Sequence, residues 1–195
     1  MAAFELARRS GADGIEFDVQ STSDGQLVVI HDATLDRTTN GTGPVVETDE
    51  ATIHGLDAGS WFAAEFVGER VPRLTDVLAL SGLEFELELK SDGPGFLDHV
   101  LDTVDRVAPH AWIEFTSSNV SLLERLKKVC PTARVGLFSG AITSTIAAHL
   151  HSSGFEVHAN DADMLSALRN AVDVGADRVS TRDLHAAAAV RGARS

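Results

Sequence analysis

From Leu74 onward the hydrophobic period of the chain keeps switching between two values, and this switching restricts the fold more than any bulk property does. Helical spacing near Leu74–Leu80, Phe96–Val107, Val120–Val129, Ile142–Ser152 and Ala162–Val174 alternates with short strand-like runs at Leu83–Lys90, Ala111–Thr116, Arg134–Phe138, Phe155–Ala159 and Arg178–Thr181. Parallel neighbouring strands need crossovers of a dozen or more residues, so this alternation predicts a mostly parallel α/β fold covered by helices. A last helix is expected over Asp183–Arg191. Upstream, Ala2–Arg9 reads as an amphipathic helix that Gly11 can stop. Gly14–Gln20 alternates as a strand, and Asp24-Gly25 turns the chain into the short apolar strand Leu27–Ile30.

Six main strands and one short one leave two architectures. An eight-stranded β/α barrel usually takes roughly 250 residues and can be built from about 200. A doubly wound sheet suits 195 residues more comfortably, yet neither a GxGxxG turn nor a GxxxxGK[ST] loop is present. Charged groups collect instead toward the ends of several different strands, as barrel active sites require. The expectation is an incomplete or compact TIM-like β/α barrel with predominantly parallel strands, forming a single domain over residues 1–195. Residues 33–71, rich in Thr, Gly, Asp and Ala and carrying Asn40-Gly41, read as an irregular insertion with one or two short helices.

Charge narrows the partners. The formal net charge is −13, and residues 1–100, with 6 basic and 19 acidic side chains, hold all of it. So acidic a first half argues against nucleic acid and anionic membranes as partners. An anionic substrate would need a local cation, either a metal or a few placed basic groups. The hydrophobic content of 44% and five prolines argue against disorder, and the single cysteine, Cys130, excludes an intrachain disulfide framework. No integral membrane segment is evident, since no run approaches eighteen apolar residues. The setting expected for the chain is cytoplasmic.

The chemical signal lies on the polar strand faces. Glu16 and Asp18 are two residues apart on a strand, opposite Ile15, Phe17 and Val19. Glu84, Glu86, Glu88 and Lys90 form a second row, opposed by Phe85, Leu87 and Leu89. Burying these carboxylates without partners would be costly, and a divalent cation held by Glu16, Asp18 and Glu88 resolves the conflict. Oxygen-only donors favour Mg²⁺ or Ca²⁺. An ordinary solvated strand edge is the plainer alternative. Glu86 could ligate, face the floor of the site or pair with an arginine.

His31 follows an apolar strand and precedes Asp32, which suits an acid/base group at a strand's carboxyl end. Read alone, the dipeptide suits a structural histidine better. Lys90 could neutralise excess carboxylate, hold a phosphate oxygen or form an ordinary ion pair. His158 shares a face with Glu156 and Asn160 and reads as structural or solvated, with a substrate contact as the other option. His110, His149, His151 and His185 show no metal spacing. Trp61-Phe62 and Trp112 read as core aromatics, the pair alternatively closing the insertion over a pocket. Ser117-Ser118 can cap a helix at least as readily as act as nucleophiles.

Several of these segments together resemble the glycerophosphodiester phosphodiesterase family. The resemblance is carried by Gly11-Ala12-Asp13-Gly14-Ile15-Glu16-Phe17-Asp18-Val19-Gln20, Leu27-Val28-Val29-Ile30-His31-Asp32 and Leu35-Asp36-Arg37-Thr38-Thr39-Asn40-Gly41-Thr42-Gly43. Leu56-Asp57-Ala58-Gly59-Ser60-Trp61-Phe62, Val71-Pro72-Arg73-Leu74, Glu86-Leu87-Glu88-Leu89-Lys90 and Gly175–Asp183 follow in order. The resemblance implies a β/α barrel and metal-dependent hydrolysis of small glycerophosphodiesters to glycerol 3-phosphate and an alcohol. It also implies metal ligation by Glu16, Asp18 and Glu88, catalysis by His31 as one of two histidines, and a phosphate-facing Lys90. It departs at the start, where the family's first strand ends in His-Arg-Gly, and near Phe155, where only Asn160 of a Trp-Thr-Val-Asn segment is kept. The expectation is an N-terminally truncated domain whose exposed sheet edges a homo-oligomer or an alternative packing would cover. A catalytically impaired metal- or phosphodiester-binding protein is the alternative function.

Overall fold

The structure, a computed structural model, describes residues 1–138, 143–159 and 165–192. It divides into two compact units, Met1–Trp112 and Ile113–Ser195. Among the described residues no helix is long and apolar enough to cross a membrane.

The first unit contains α1 (Ala2–Arg9), β1 (Gly14–Ser21), β2 (Leu27–Val29), α2 (Glu50–Gly55), α3 (Leu74–Leu78), β3 (Glu84–Leu89) and α4 (Phe96–Val107). β1 and β3 pair in parallel from Gly14↔Glu84 to Val19↔Leu89. β2 returns antiparallel along the last turn of β1, from Val19↔Val29 to Ser21↔Leu27. The expected alternation holds: Phe17, Val19, Phe85, Leu87 and Leu89 are at most 2% exposed. Phe17 meets Phe85 and, from α1, Phe4 in edge-on ring contacts of 6.1 and 5.9 Å. Their apolar face fixes which way the alternate, acidic residues must point.

The segment 33–71 builds a small core together with the end of β2. Leu35, Val45, Ile53 and Val71 are buried with Val28 and Ile30, the residues that flank β2's end. Besides α2, whose N-terminus Asp49 caps by accepting from the Thr52 N–H at 2.9 Å, it holds two 3₁₀ turns, Val45–Glu47 and Ala64–Phe66. Trp61 and Phe62 are not core residues: they are 50% and 69% exposed. The reason is local. The Asp57 carboxylate accepts the backbone N–H groups of Gly59, Ser60 and Gly68 at 2.7–2.9 Å, and a side chain at Gly59 would collide with the Phe66 carbonyl. A loop wound this tightly has no interior into which an aromatic ring can turn. Trp112 is half-buried.

The second unit contains β4 (Ile113–Thr116), α5 (Val120–Val129), β5 (Arg134–Phe138), α6 (Ser144–Ser152), β6 (Glu156–Ala159), α7 (Leu165–Asp173), β7 (Arg178–Val179) and α8 (Leu184–Gly192). β4–β5, β5–β6 and β6–β7 all pair in parallel. Val135, Val157, Leu122, Leu123, Leu126 and Leu168 form its buried apolar set. Asn119 caps α5 by accepting from Leu122 N–H at 3.2 Å, and Ser117 Oγ accepts from Asn119 N–H, so Ser117 belongs to the helix entry. In the turn that precedes β4 the Ala111 N–H donates to the Ala108 carbonyl at 3.0 Å. Asn160 lies outside the described residues.

Candidate functional site

The parallel register of β1 and β3 sets Glu16 beside Glu86 and Asp18 beside Glu88. Their side chains leave the sheet on the face opposite the apolar core. One carboxylate oxygen from each of Glu16, Asp18 and Glu88 lies within 4.8 Å of the others. Two negative charges at that separation repel by about 3 kcal/mol at an effective dielectric constant near 20. Lys90, one step past β3, places its ammonium 3.1 Å from Asp18 Oδ1 and 2.8 Å from Glu88 Oε1. One cation cannot balance the set.

The electrostatics record the shortfall. Burial first, and then the charges of Asp18, Glu86 and Glu88, push the Glu16 carboxyl up to about 8. Burial also raises Glu88 against the opposing pull of Lys90. The Lys90 ammonium is held above its ordinary range: burial works against it, but the hydrogen bond to Glu88 and the charge of Asp18 outweigh burial. An all-oxygen trio that gains a surplus of negative charge once Glu16 gives up its proton is the donor set that a hard divalent cation requires, so the residues fit Mg²⁺ or Ca²⁺.

His31 reaches this end of the unit through backbone bonds. The Ile30 N–H donates to the Asp18 carbonyl at 3.1 Å. The Gln20 amide, next on the acidic face of β1, donates to the carbonyls of Ile30, His31 and Asp32 at 2.7, 3.2 and 2.8 Å. The imidazole is 67% exposed and its Nδ1 lies 2.8 Å from Asp32 Oδ1. Arg37 grips the same carboxylate with both Nε and Nη2, at 2.5 and 2.7 Å. The hydrogen bonds from Arg37 and then His31 hold the Asp32 carboxyl well below the usual range. The structure thus assembles Glu16, Asp18, Glu88 and Lys90 in one cluster and ties the His31 backbone to the strand that supplies two of them. Gln20 and Arg37 were missed from sequence. The signal for Gln20 was its place on the acidic face, two residues after Asp18.

The second unit has its own carboxylates. Glu114, Glu156 and His158 also offer ligand atoms within 4.8 Å of one another. Here, however, His158 Nε2 sits 2.8 Å from Glu114 Oε2, with both side chains fully buried, and Arg178 Nε lies 3.5 and 3.6 Å from Glu114 and Glu156. Gly136 makes the packing feasible, since a Cβ there would come within 2.6 Å of Glu114 Oε1 and 2.7 Å of the His158 ring. The geometry supports the structural reading of His158: its buried ring and the Arg178 guanidinium already lie against these carboxylates. A cavity of about 740 Å³ in the first unit, lined by Asp13, Leu83, Glu84, His110 and Trp112 among others, opens at the N-terminal ends of β1 and β3. In α/β barrels chemistry sits at the opposite, carboxyl ends, toward which Asp18, Glu88 and Lys90 lie.

A sequence model of the Glycerophosphoryl diester phosphodiesterase family matches residues 1–140. A glycerophosphodiester phosphodiesterase of Caldanaerobacter subterraneus is 41% identical over 143 residues, 70% of this chain and 59% of the relative. The chain thus matches less than two thirds of that relative's length. Among solved structures, a glycerophosphodiester phosphodiesterase from Agrobacterium tumefaciens superposes with a TM-score of 0.78 at 29% identity, over 96% of this chain and 91% of that one. A phosphodiesterase from Oleispira antarctica, solved in complex with the product sn-glycerol-3-phosphate, gives 0.80 at 25% identity, over 98% and 90%. These likenesses bear out the mixed α/β, incomplete TIM-like barrel class expected from the strand–helix alternation. With most of the chain matched, and with the motifs around Glu16, His31 and Glu88 inside the matched span, the chain belongs to the glycerophosphoryl diester phosphodiesterase family.

Proposed function

We propose that this chain hydrolyses glycerophosphodiesters to glycerol 3-phosphate and an alcohol with the help of a divalent cation. The observation that carries the reading is the convergence of Glu16, Asp18 and Glu88 within 4.8 Å, with the Lys90 ammonium against two of them. Glu16, Asp18 and Glu88 would hold Mg²⁺ or Ca²⁺, which supplies Lewis-acid polarisation of the phosphate when bound. Lys90, anchored between Asp18 and Glu88, is placed to give its remaining N–H donors to a phosphate oxygen. His31 serves as the acid/base group: its Nδ1 faces Asp32, which leaves Nε2 to take or return a proton at the reacting hydroxyl. The product-bound relative supports the substrate class.

The test is release of glycerol 3-phosphate from glycerophosphocholine and glycerophosphoethanolamine, with and without added Mg²⁺ or Ca²⁺. Release is expected with either metal, and a His31→Ala variant should lose it while still binding the cation. Equal release by both proteins would remove His31 from the chemistry. A second reading, a phosphodiester-binding protein of weak activity, draws on the other histidines of the first unit. His54 and His99 each bond a backbone carbonyl, and His110 lines the cavity at the opposite strand ends, so the acid/base work falls on His31.

A further inference from the structure

We propose that Arg37 and Trp61 are positioning residues which, through Asp32, fix the His31 ring with its proton on Nδ1 and its lone pair on Nε2. The proposal rests on the reading of His31 as the acid/base group and extends it to residues that touch no substrate.

The contacts form an unbroken line. His31 Nδ1 lies 2.8 Å from Asp32 Oδ1. Arg37 holds both oxygens of that carboxylate, Nε to Oδ2 and Nη2 to Oδ1, and its guanidinium carbon lies 5.9 Å from the Trp61 ring centroid. Trp61 is itself fixed, since its Nε1–H donates to the Ala58 carbonyl at 2.9 Å. Behind it the loop is wound around the Asp57 carboxylate.

Each link has a defined task. A lone carboxylate beside a histidine can rotate, and an exposed ion pair of this kind contributes little to stability. A fork of two parallel N–H donors removes that rotation and fixes the plane of the carboxylate. The guanidinium could swing away on its own stem; the Trp61 face gives it a second attachment through a cation–π contact. An ionised Asp32 accepts a proton-bearing Nδ1 and no other tautomer, so the neutral ring must offer Nε2 as its base. The exposed position that the Asp57-wound loop gives Trp61 is the one from which its face reaches Arg37.

The test reads the tautomer directly and needs no turnover. In the full chain labelled with ¹⁵N-histidine, long-range ¹H–¹⁵N spectra above the ring's titration range should show His31 with its proton on Nδ1, the signal being assigned by its loss in His31→Gln. Arg37→Gln should shift His31 toward the other tautomer, Arg37→Lys should restore part of the Nδ1 form, and Trp61→Leu should produce a smaller shift than Arg37→Gln. Wild-type His31 protonated on Nε2, or a tautomer unchanged in Arg37→Gln, overturns the proposal. In parallel, Arg37→Gln should lower kcat about tenfold with KM within about twofold, with Mg²⁺ affinity by calorimetry unchanged. A wild-type protein that shows the Nδ1 tautomer and binds Mg²⁺ but releases no glycerol 3-phosphate refutes the proposed hydrolysis, while the spectra still decide the positioning role.

Discussion

Each unit of this protein gathers acidic side chains on a parallel sheet, and the two clusters are balanced differently. In the first, Glu16, Asp18 and Glu88 converge and the Lys90 ammonium lies against Asp18 and Glu88. In the second, Glu114 and Glu156 meet His158 and Arg178. Distance alone would nominate both as cation sites, since each offers three ligand atoms within 4.8 Å. Charge separates them. In the first set, burial and then the neighbouring carboxylates push one carboxyl up to about 8, a cost that a divalent cation would relieve. In the second, the His158 ring and the Arg178 guanidinium already lie against the carboxylates, and a cation would have to compete with Arg178. Surplus charge, more than carboxylate spacing, marks the site prepared for a ligand.

Substitutions can break this contrast. Removing one partner of the fully buried Glu114–His158 pair should have the largest effect. Glu114→Gln or His158→Leu is expected to cost about 3–5 kcal/mol of stability in urea unfolding, whereas replacing both by apolar residues of similar volume should cost much less. Gly136→Val belongs to the same group and should lower the melting temperature through overpacking. None of these changes should alter Mg²⁺ affinity of the protein that stays folded. In the first cluster the order reverses: Glu88→Gln should weaken Mg²⁺ or Ca²⁺ binding about 100-fold by calorimetry, with little loss of stability.

The pH dependence sharpens the contrast further. Glu16 has a folded-state value raised to about 8 from an ordinary 4.5, so between those values the folded chain binds more protons than the unfolded one. Its contribution to stability is therefore present below about pH 4.5, declines as pH rises toward 8, and levels off beyond it. Cation binding needs that proton gone, so affinity should rise about fivefold between pH 7 and pH 8 and then flatten. Calorimetry across pH 6–9 checks this, and Glu16→Gln should abolish the slope. The smallest effect is expected from Lys90→Met. Loss of the competing ammonium should tighten cation binding a few-fold, while glycerol 3-phosphate, titrated in the presence of Mg²⁺, should bind more weakly.

Much of the fold could be read from the chain because period decides element type. Phe96–Val107, Val120–Val129 and Arg134–Phe138 fall where the spacing puts them. The acidic face was legible for the same reason, since strand alternation fixes direction two residues at a time. What escaped was pairing across strands and loops. Nothing local to Glu114 announces His158 and Arg178, which reach it only through the registers of β5, β6 and β7. Trp61 and Phe62 were placed in the core on hydrophobicity, and the hydrogen bonds of Asp57, which no period reveals, keep them outside. Arg37 stood in a motif without a stated task until its partner Asp32 was visible.

The small core that segment 33–71 shares with the end of β2 has a consequence for how the protein would fail. Val28 and Ile30, which lead directly to His31, are packed with Leu35, Val45, Ile53 and Val71, while Glu16, Asp18 and Glu88 rest on the β1–β3 ladder. Gentle warming that loosens the smaller nucleus would free the imidazole before it disturbs the carboxylates. If the proposed function holds, hydrolysis would then be lost at a lower temperature than cation binding.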